Sequence, residues 1–350
     1  MPPQATYRIY GLRVRSDLPL PARPVSDDGK VDLIVRHRGA ILRSIAPRPP
    51  VMTLDWRQVE QGWLLHYHTR MGEVLEFAFN PEASRIEIRS TMPETMEDIV
   101  AVLVGAGLAA ALHLRGVPVL HAAAVVVDGK AILVAGPAGA GKSTQTAALV
   151  RQGTPLLAED LAVLKIGEDD ILVQPGYPRL RLCPEAMSVA GRVASDLPRV
   201  FSPLVPDDKR WLDAADLAGG FCATPAPLGA IYLLAPRSAD RPAAKIEPLP
   251  SHRAGLALLE HLYGARWLRI PPAKAIEWCA RIAGRTPVRW VHAPPELERV
   301  RETAEAIIAD AQRGACPGLG ALQYNSLNHS PVRQAHPSTG LRRAQSSRSG

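Results

Sequence analysis

"HAAAVVVDGKAILVAGPAGAGKST", residues His121 to Thr144, decides how the rest of the chain is read. Two apolar runs, AAAVVV and KAILVA, flank Asp128-Gly129, the dipeptide that readily supplies the positive φ of a two-residue hairpin turn, so an antiparallel pair is expected here. The second run enters Gly136-Pro137-Ala138-Gly139-Ala140-Gly141-Lys142-Ser143, which fits G-x-x-x-x-G-K-[ST]. Its setting matters as much as its spelling, because a strand precedes it and KSTQTAALVRQG, a helix ended by Gly153, follows. In that setting the glycines let the backbone curl with its N–H groups inward, and the helix start adds partial positive charge. Lys142 would reach the β- and γ-phosphates, and Ser143 would offer its hydroxyl to Mg²⁺. Residues Gly136 to Thr144 are therefore the expected cradle of a nucleoside triphosphate. ATPases, GTPases and kinases share such a loop, so the reaction has to be read elsewhere.

The next strand, PLLAED, ends on Glu159-Asp160, where a carboxylate meets Mg²⁺ and the γ-phosphate in nucleotide-binding folds of this kind. Two adjacent acids allow two tasks: one holds the metal, directly or through water, and the other accepts the proton of an attacking hydroxyl. A solvated acidic turn is the plainer alternative, but apolar residues enclose the pair on both sides. His121 opens the first hairpin strand, and strands converging on one sheet end would bring its imidazole towards the acids. By itself, a histidine there is more often a satisfied core or edge residue.

The chain of 350 residues has room for one large or two medium domains without disulfide support. Cys183, Cys222, Cys279 and Cys316 form no C-x-x-C pair, so neither a zinc site nor a redox motif is suggested. The net charge of +7 would point to nucleic acid, but beyond Asp310 lie Arg313, Arg333, Arg342, Arg343 and Arg348 and no acid. Without that tail the body is near neutral, and no nucleic-acid partner is expected. The start, MPPQATYRIYGLRVRS, lacks the apolar core of a secretory signal, and the run Ile99 to Leu112 is too short to cross a bilayer. A cytoplasmic protein with no membrane partner is expected, with that run as a buried helix.

Strand-like pieces, YRIYGLRV, VDLIVRH, GWLLHYHT and RIEIRS, alternate with polar connectors up to about Ser90, giving a small β-rich N-terminal domain over residues 1–92. MPETMEDIVAVLVGAGLAAALHLRG then reads as a long helix, with Pro93 in its first turn, Glu94, Glu97 and Asp98 at its positive end and Gly116 as its stop. LAVLKI and ILVQP form a second hairpin about Gly167 to Asp170, and LGAIYLLAP and VRWVHAP are strands. SHRAGLALLEHLYG, AKAIEWCARIAG and PELERVRETAEAIIADAQ read as helices, the last with Pro in its first turn. Gly176 to Ala226 is Pro-rich and irregular with a few short helical pieces, and residues 314–350 have the composition of a disordered basic tail. The class is α/β with a mixed sheet.

The order His121, hairpin, GPAGAGKST, helix and LLAED resembles the catalytic core of the HPr kinase/phosphorylase family, over roughly His121 to Lys165. PGYPRLRLCPEA, Lys209-Arg210, PLGAIYLLAP and the N-terminal YRIYGLRVRSDLPLP look like its diverged branch of small serine kinases found beside peptide-modification genes. That branch includes enzymes that phosphorylate the C-terminal residue of lasso-peptide precursors. The resemblance implies a P-loop kinase core of the HPr-kinase type over residues 93–313, using ATP and Mg²⁺, with Gly136 to Thr144 as the ATP loop. It also implies Ser143 as a magnesium ligand, Glu159 or Asp160 as the general base, and His121 bonded to that acid. The expected catalytic set is His121, Lys142, Glu159 and Asp160, with Asp160 beside Ser143 at the metal and the division of roles between the acids open. The family shows two aspartates where this chain has Glu159-Asp160, and it carries an arginine- and glycine-rich segment for phosphorolysis that this chain lacks, so one-way transfer is expected.

The expected function is transfer of the γ-phosphate of ATP to a Ser or Thr hydroxyl of a peptide or small-protein partner, such as the C-terminal residue of a lasso-peptide precursor. The N-terminal domain would be available to hold that partner. A nucleotide-gated binding module, in which ATP reorders Gly176 to Ala226, and a sugar or nucleoside kinase are the competing readings. Lys209 and Arg210 fit either a clamp for phosphate or carboxylate or a solvated charge cluster. The family's hexamers imply a homo-oligomer.

Overall fold

Side chains that alternate between core and solvent build the first sheet. The computed structural model describes residues 4–40, 53–68, 74–91, 96–203, 205, 207–236 and 243–315. Its first eight strands are β1 (Ala5–Ile9), β2 (Leu12–Ser16), β3 (Pro24–Val25), β4 (Leu33–Ala40), β5 (Thr53–Val59), β6 (Gly62–His68), β7 (Val74–Phe79) and β8 (Arg85–Ser90). They pair in the order β3-β1-β2-β4-β8-β7-β6-β5, parallel at β2–β4 and β4–β8 and antiparallel elsewhere. Along β8, Ile86 and Ile88 are fully buried while Arg85 is exposed, the period of two of a sheet with one covered face. The expected pieces fall on β1, β2, β4, β6 and β8. Strands β3, β5 and β7 were not anticipated; in β7, VLEFAF is buried on nearly every residue and shows no alternation.

The long helix follows as α1 (Met96–Val102), a π-helical turn (Leu103–Gly107) and α2 (Leu108–Leu114). Its expected start at Pro93 and Glu94 lies outside the described residues, and Gly116 ends it with φ +71°. At 19 residues it exceeds the apolar stretch counted from sequence and reaches membrane-crossing length and composition, yet 83% of its apolar window is buried inside the protein. It is a core helix. A Cβ on Gly107 would stand 3.5 Å from the Phe77 ring, so the π turn lies close against the first sheet. Arg115, at its end, donates from Nη2 to the carbonyls of Asp32 (2.5 Å) and Ala83 (3.0 Å) in that sheet.

The remaining elements are β9 (Val119–Val127), β10 (Lys130–Ala135), α3 (Lys142–Arg151), β11 (Leu156–Ala158), β12 (Leu161–Ile166), β13 (Ile171–Gln174), β14 (Arg179–Leu182), α4 (Pro184–Ala190) and β15 (Arg210–Asp213). After them come β16 (Ala226–Leu234), β17 (Lys245–Leu249), α5 (Ser251–Leu259), α6 (Pro272–Arg285), β18 (Val288–His292) and α7 (Val300–Ala315). The second sheet runs β10-β9-β12-β13-β16-β18-β17, with β11 on β9; β10 also pairs parallel with β16, closing a circuit of strands. Asp128 and Gly129 take φ +46° and +76° between β9 and β10, the turn expected from the dipeptide. Both faces of this sheet are covered. Leu133 and Ala135 of β10 join the core shared with the long helix, while Ile132 and Val134 join Leu149 and Val150 of α3 and Ala304 and Ile307 of α7. That is why these segments read as unbroken apolar runs.

Three expectations are corrected. Residues 176–226 hold short helical pieces as expected, α4 among them, but also the unexpected antiparallel ribbon β14–β15. Strand β17 was missed, and α7 begins at Val300 after a 3₁₀ turn (Leu297–Arg299), so Pro295 is not in its first turn. The expected tail from 316 onward lies outside the described residues.

Asp98, in the first turn of α1, accepts hydrogen bonds from Ser202 N–H (2.8 Å) and Ser202 Oγ (2.7 Å), with both residues buried. Asp98→Ala would strand two buried donors and is expected to lower unfolding free energy by about 1–3 kcal/mol in denaturant titration, with a smaller loss for Asp98→Asn. An unchanged midpoint for Asp98→Ala would contradict this anchoring role.

Candidate active site

The loop between β10 and α3 has the backbone that its glycines allow. Gly139 and Gly141 hold φ of +78° and +93°, a region open to glycine at little cost. Gly141 is the N-cap of α3 and offers no side-chain cap, so the first-turn N–H groups face the loop rather than a capping oxygen. Pro137, Ala138 and Gly139 form the exposed crown; Ala140, Gly141, Lys142 and Ser143 are half-buried, and Gly136 and Thr144 are buried. Lys142 Nζ folds across the loop and donates to the carbonyls of Gly136 (2.9 Å) and Pro137 (3.2 Å). Burial lowers its pKa, opposed by the charges of Asp160 and Glu159, with Lys209 adding to the lowering.

The acidic pair sits on a tight turn between β11 and β12. Leu161 N–H donates to the Glu159 carbonyl (2.8 Å), and Asp160, between them, has φ +67°. A non-glycine residue in that region stores strain of order 1–3 kcal/mol, and aspartate is among the few that tolerate it. The turn throws the two carboxylates apart. Glu159 goes inward, 3% exposed, and its Oε1 accepts from Ser143 Oγ (3.1 Å). Asp160 goes to the other side, where Oδ1 meets His121 Nε2 at 3.2 Å.

His121 is placed there by pairing. Strand β9 runs beneath the whole turn, with Ala124 opposite Ala158 of β11 and His121 opposite Leu161 of β12. The backbone N–H of His121 donates to the His261 carbonyl (2.7 Å), and its ring meets the Tyr263 ring edge-on at 5.7 Å. His261 is itself buried, and that burial, with Lys142 and His121 nearby, lowers its pKa.

Arg181 of β14 completes the cluster and was not anticipated. Its Nε donates to Glu159 Oε2 (3.0 Å) and its Nη2 reaches Asp160 Oδ2 (2.5 Å). The signal was present in RLRL: Leu180 and Leu182 are fully buried, which puts Arg179 and Arg181 on the opposite face. Trp211, opposite Arg181 in the ribbon, lies under its guanidinium at 6.0 Å. Tyr177 packs edge-on against Trp211 (5.8 Å), and Tyr10, from the β1–β2 turn, packs against Tyr177 (6.1 Å). The N-terminal sheet thus reaches the site through one hairpin tip, held by Tyr10 N–H to the Pro175 carbonyl (2.7 Å).

Lys209 and Arg210 pair instead with Asp207 (3.4 Å) and Asp208 (2.7 Å). Among the described residues no three His, Cys, Asp or Glu side chains cluster as a metal site of that kind. The hydroxyl and carboxylate oxygens of Ser143 and Glu159 are nonetheless hard donors side by side, the set Mg²⁺ prefers when phosphate and water supply the rest.

No family model matches the chain, and no curated protein sequence matches it. Among solved structures, the Hpr(Ser) kinase/phosphatase from Coxiella burnetii matches with 16% identity over 56% of this chain and 88% of that one, at a TM-score of 0.28.

The two acids titrate in opposite directions. Burial raises the Glu159 pKa, and the neighbouring Asp160 charge adds to it against the pull of Arg181. Burial would raise Asp160 too, but Arg181 and His121 outweigh it and hold the carboxyl below its ordinary value. For a raised acid, stability is full below the unfolded pKa of about 4.3 and is lost as pH rises through the folded value. For a depressed acid, stability is present above about 3.9 and is lost as pH falls through the folded value. Denaturation from pH 3 to 7 should therefore show wild type losing ground to Glu159→Gln as pH rises from about 4, and losing ground to Asp160→Asn as pH falls below about 4. Slopes of the same sign would contradict the geometry.

Proposed function

We propose that the protein is an ATP- and Mg²⁺-dependent phosphotransferase acting on an alcohol, a serine kinase in type. The observation that supports this most is the partition of the four carboxylate oxygens: Glu159 faces Ser143, Asp160 faces His121, and Arg181 takes one oxygen of each. In this reading Glu159, not Asp160 as expected from sequence, stands with Ser143 at the metal, and Asp160 is the general base. Bound with the nucleotide, magnesium would supply charge neutralisation on the β- and γ-phosphates. Lys142 is placed to leave the Gly136 and Pro137 carbonyls for phosphate oxygens, exchanging two neutral acceptors for charged ones. The first-turn N–H groups of α3 hold the phosphate chain.

Asp160 is the more exposed acid, with a quarter of its side chain open to solvent, as a group meeting an incoming hydroxyl must be. Its charged form is the form that accepts a proton, and His121 orients the accepting oxygen. The acceptor is proposed to be a Ser or Thr hydroxyl on a peptide or small protein, with the C-terminal residue of a lasso-peptide precursor as its narrowest form. The kinase domain is taken as residues 93–313 and the N-terminal domain as residues 1–92.

Incubation with γ-labelled ATP, Mg²⁺ and a panel of Ser- and Thr-bearing peptides, sugars and nucleosides is expected to label the peptides. Asp160→Asn should lower transfer by about 10²–10⁴-fold with nucleotide still bound, and Lys142→Met should lose the nucleotide. Label appearing only as free phosphate, or only on metabolites, would overturn the peptide kinase reading.

A further inference from the structure

Two ionised carboxylates on consecutive residues repel each other, and each disfavours the other's charge when solvent is excluded. Here Glu159 is buried and Asp160 is three-quarters covered, and the cation that spans them is Arg181, itself only 12% exposed in its side chain. Lys142 donates to the loop carbonyls, at 2.9 and 3.2 Å, and acts on the pair only through its field. The planar fork of a guanidinium suits this task. Its Nε takes Glu159 Oε2 and its Nη2 takes Asp160 Oδ2, which leaves Glu159 Oε1 towards Ser143 and Asp160 Oδ1 towards His121. The fork is fixed in turn by Trp211 beneath it and by Tyr177 and Tyr10, whose rings extend the packing to the N-terminal hairpin.

We propose that Arg181 is a positioning residue, the resident counter-ion that holds Glu159 and Asp160 together and points their free oxygens to Ser143 and His121. The proposal rests on the reading of those oxygens as metal-facing and proton-accepting, and it adds an internal cation that offsets the charge of both acids. A cation arriving between Ser143 and Glu159 then joins a pair that is already assembled. Arg181 touches neither phosphate nor acceptor in this account, and it acts through the two acids.

The test is thermal denaturation of the full chain as Arg181→Leu and Arg181→Lys, each made in the wild-type background and in a Glu159→Gln/Asp160→Asn background, with and without Mg²⁺. Leu removes the charge and keeps apolar bulk. With the acids intact, Arg181→Leu is expected to lower the midpoint by more than about 5 °C, and Lys to restore part of it. With the acids neutralised, the same Leu substitution should lower it far less, because there is no charge left to compensate. Mg²⁺ alone should raise the midpoint of Arg181→Leu more than that of wild type. Equal losses in both backgrounds would show that Arg181 only fills space, and would overturn the proposal. If Arg181→Leu alone does not fold, folding of the triple variant supports the counter-ion role and failure of both overturns it. Rescue by neutral acids without any Mg²⁺ response would leave the counter-ion standing and sink the metal seat instead.

Discussion

Two carboxylates on adjacent residues can share one enclosed site only if something keeps them apart and something offsets their charge. At the three-residue turn Glu159-Asp160-Leu161, where Asp160 has φ +67°, the first is met by separate partners, Glu159 against Ser143 and Asp160 against His121. Arg181 does the second, with one nitrogen on each acid. The strain in the turn persists because both of its flanking strands are pinned to the same partner, β9. Remove either pinning strand and the turn would relax towards ordinary backbone, taking the carboxylates out of register with Ser143 and His121.

The same strand links the fold to the chemistry. β9 carries His121 at one end, lies under the acidic turn at its middle, and passes through the Asp128-Gly129 turn into β10, which delivers the glycine loop. Three groups far apart in the chain thus converge through pairing with one strand. The apolar residues of β9 and β10 are buried on both faces of the sheet, so the position of the site is set by the core and not by flexible surface loops. The N-terminal sheet takes part in this arrangement where Tyr10 closes the aromatic packing beside Arg181.

Much of this could be read from residues alone, because its determinants are local. The loop, its flanking strand and helix, the Asp128-Gly129 turn and the hairpin over LAVLKI and ILVQP all carry short-range signals of glycine placement and periodicity. Arg181 could not be read that way. It lies 22 residues from Glu159 in a Pro-rich stretch, and its place beside the acids depends on the β14–β15 ribbon, whose partner strands are separated by most of residues 183–209. The choice between Glu159 and Asp160 was hidden for a related reason, since the period of two along a strand says nothing of side-chain directions at a turn where Asp160 has a positive φ. Strand β7 escaped because burial on both sides erases alternation, and the apolar run of the long helix was counted only from Ile99 to Leu112 because the polar first turn and last residues were left out.

In the proposed function Ser143 and Glu159 together face one divalent cation brought by a triphosphate in the Gly136–Thr144 loop. Diffraction at the manganese edge from crystals grown with Mn²⁺ and a non-hydrolysable ATP analogue tests it most directly. The account predicts one anomalous peak within about 2.3 Å of both Ser143 Oγ and a Glu159 carboxylate oxygen, with Asp160 still against His121. Nucleotide in the loop with the peak on Asp160 instead, or with no peak near either acid, would contradict it.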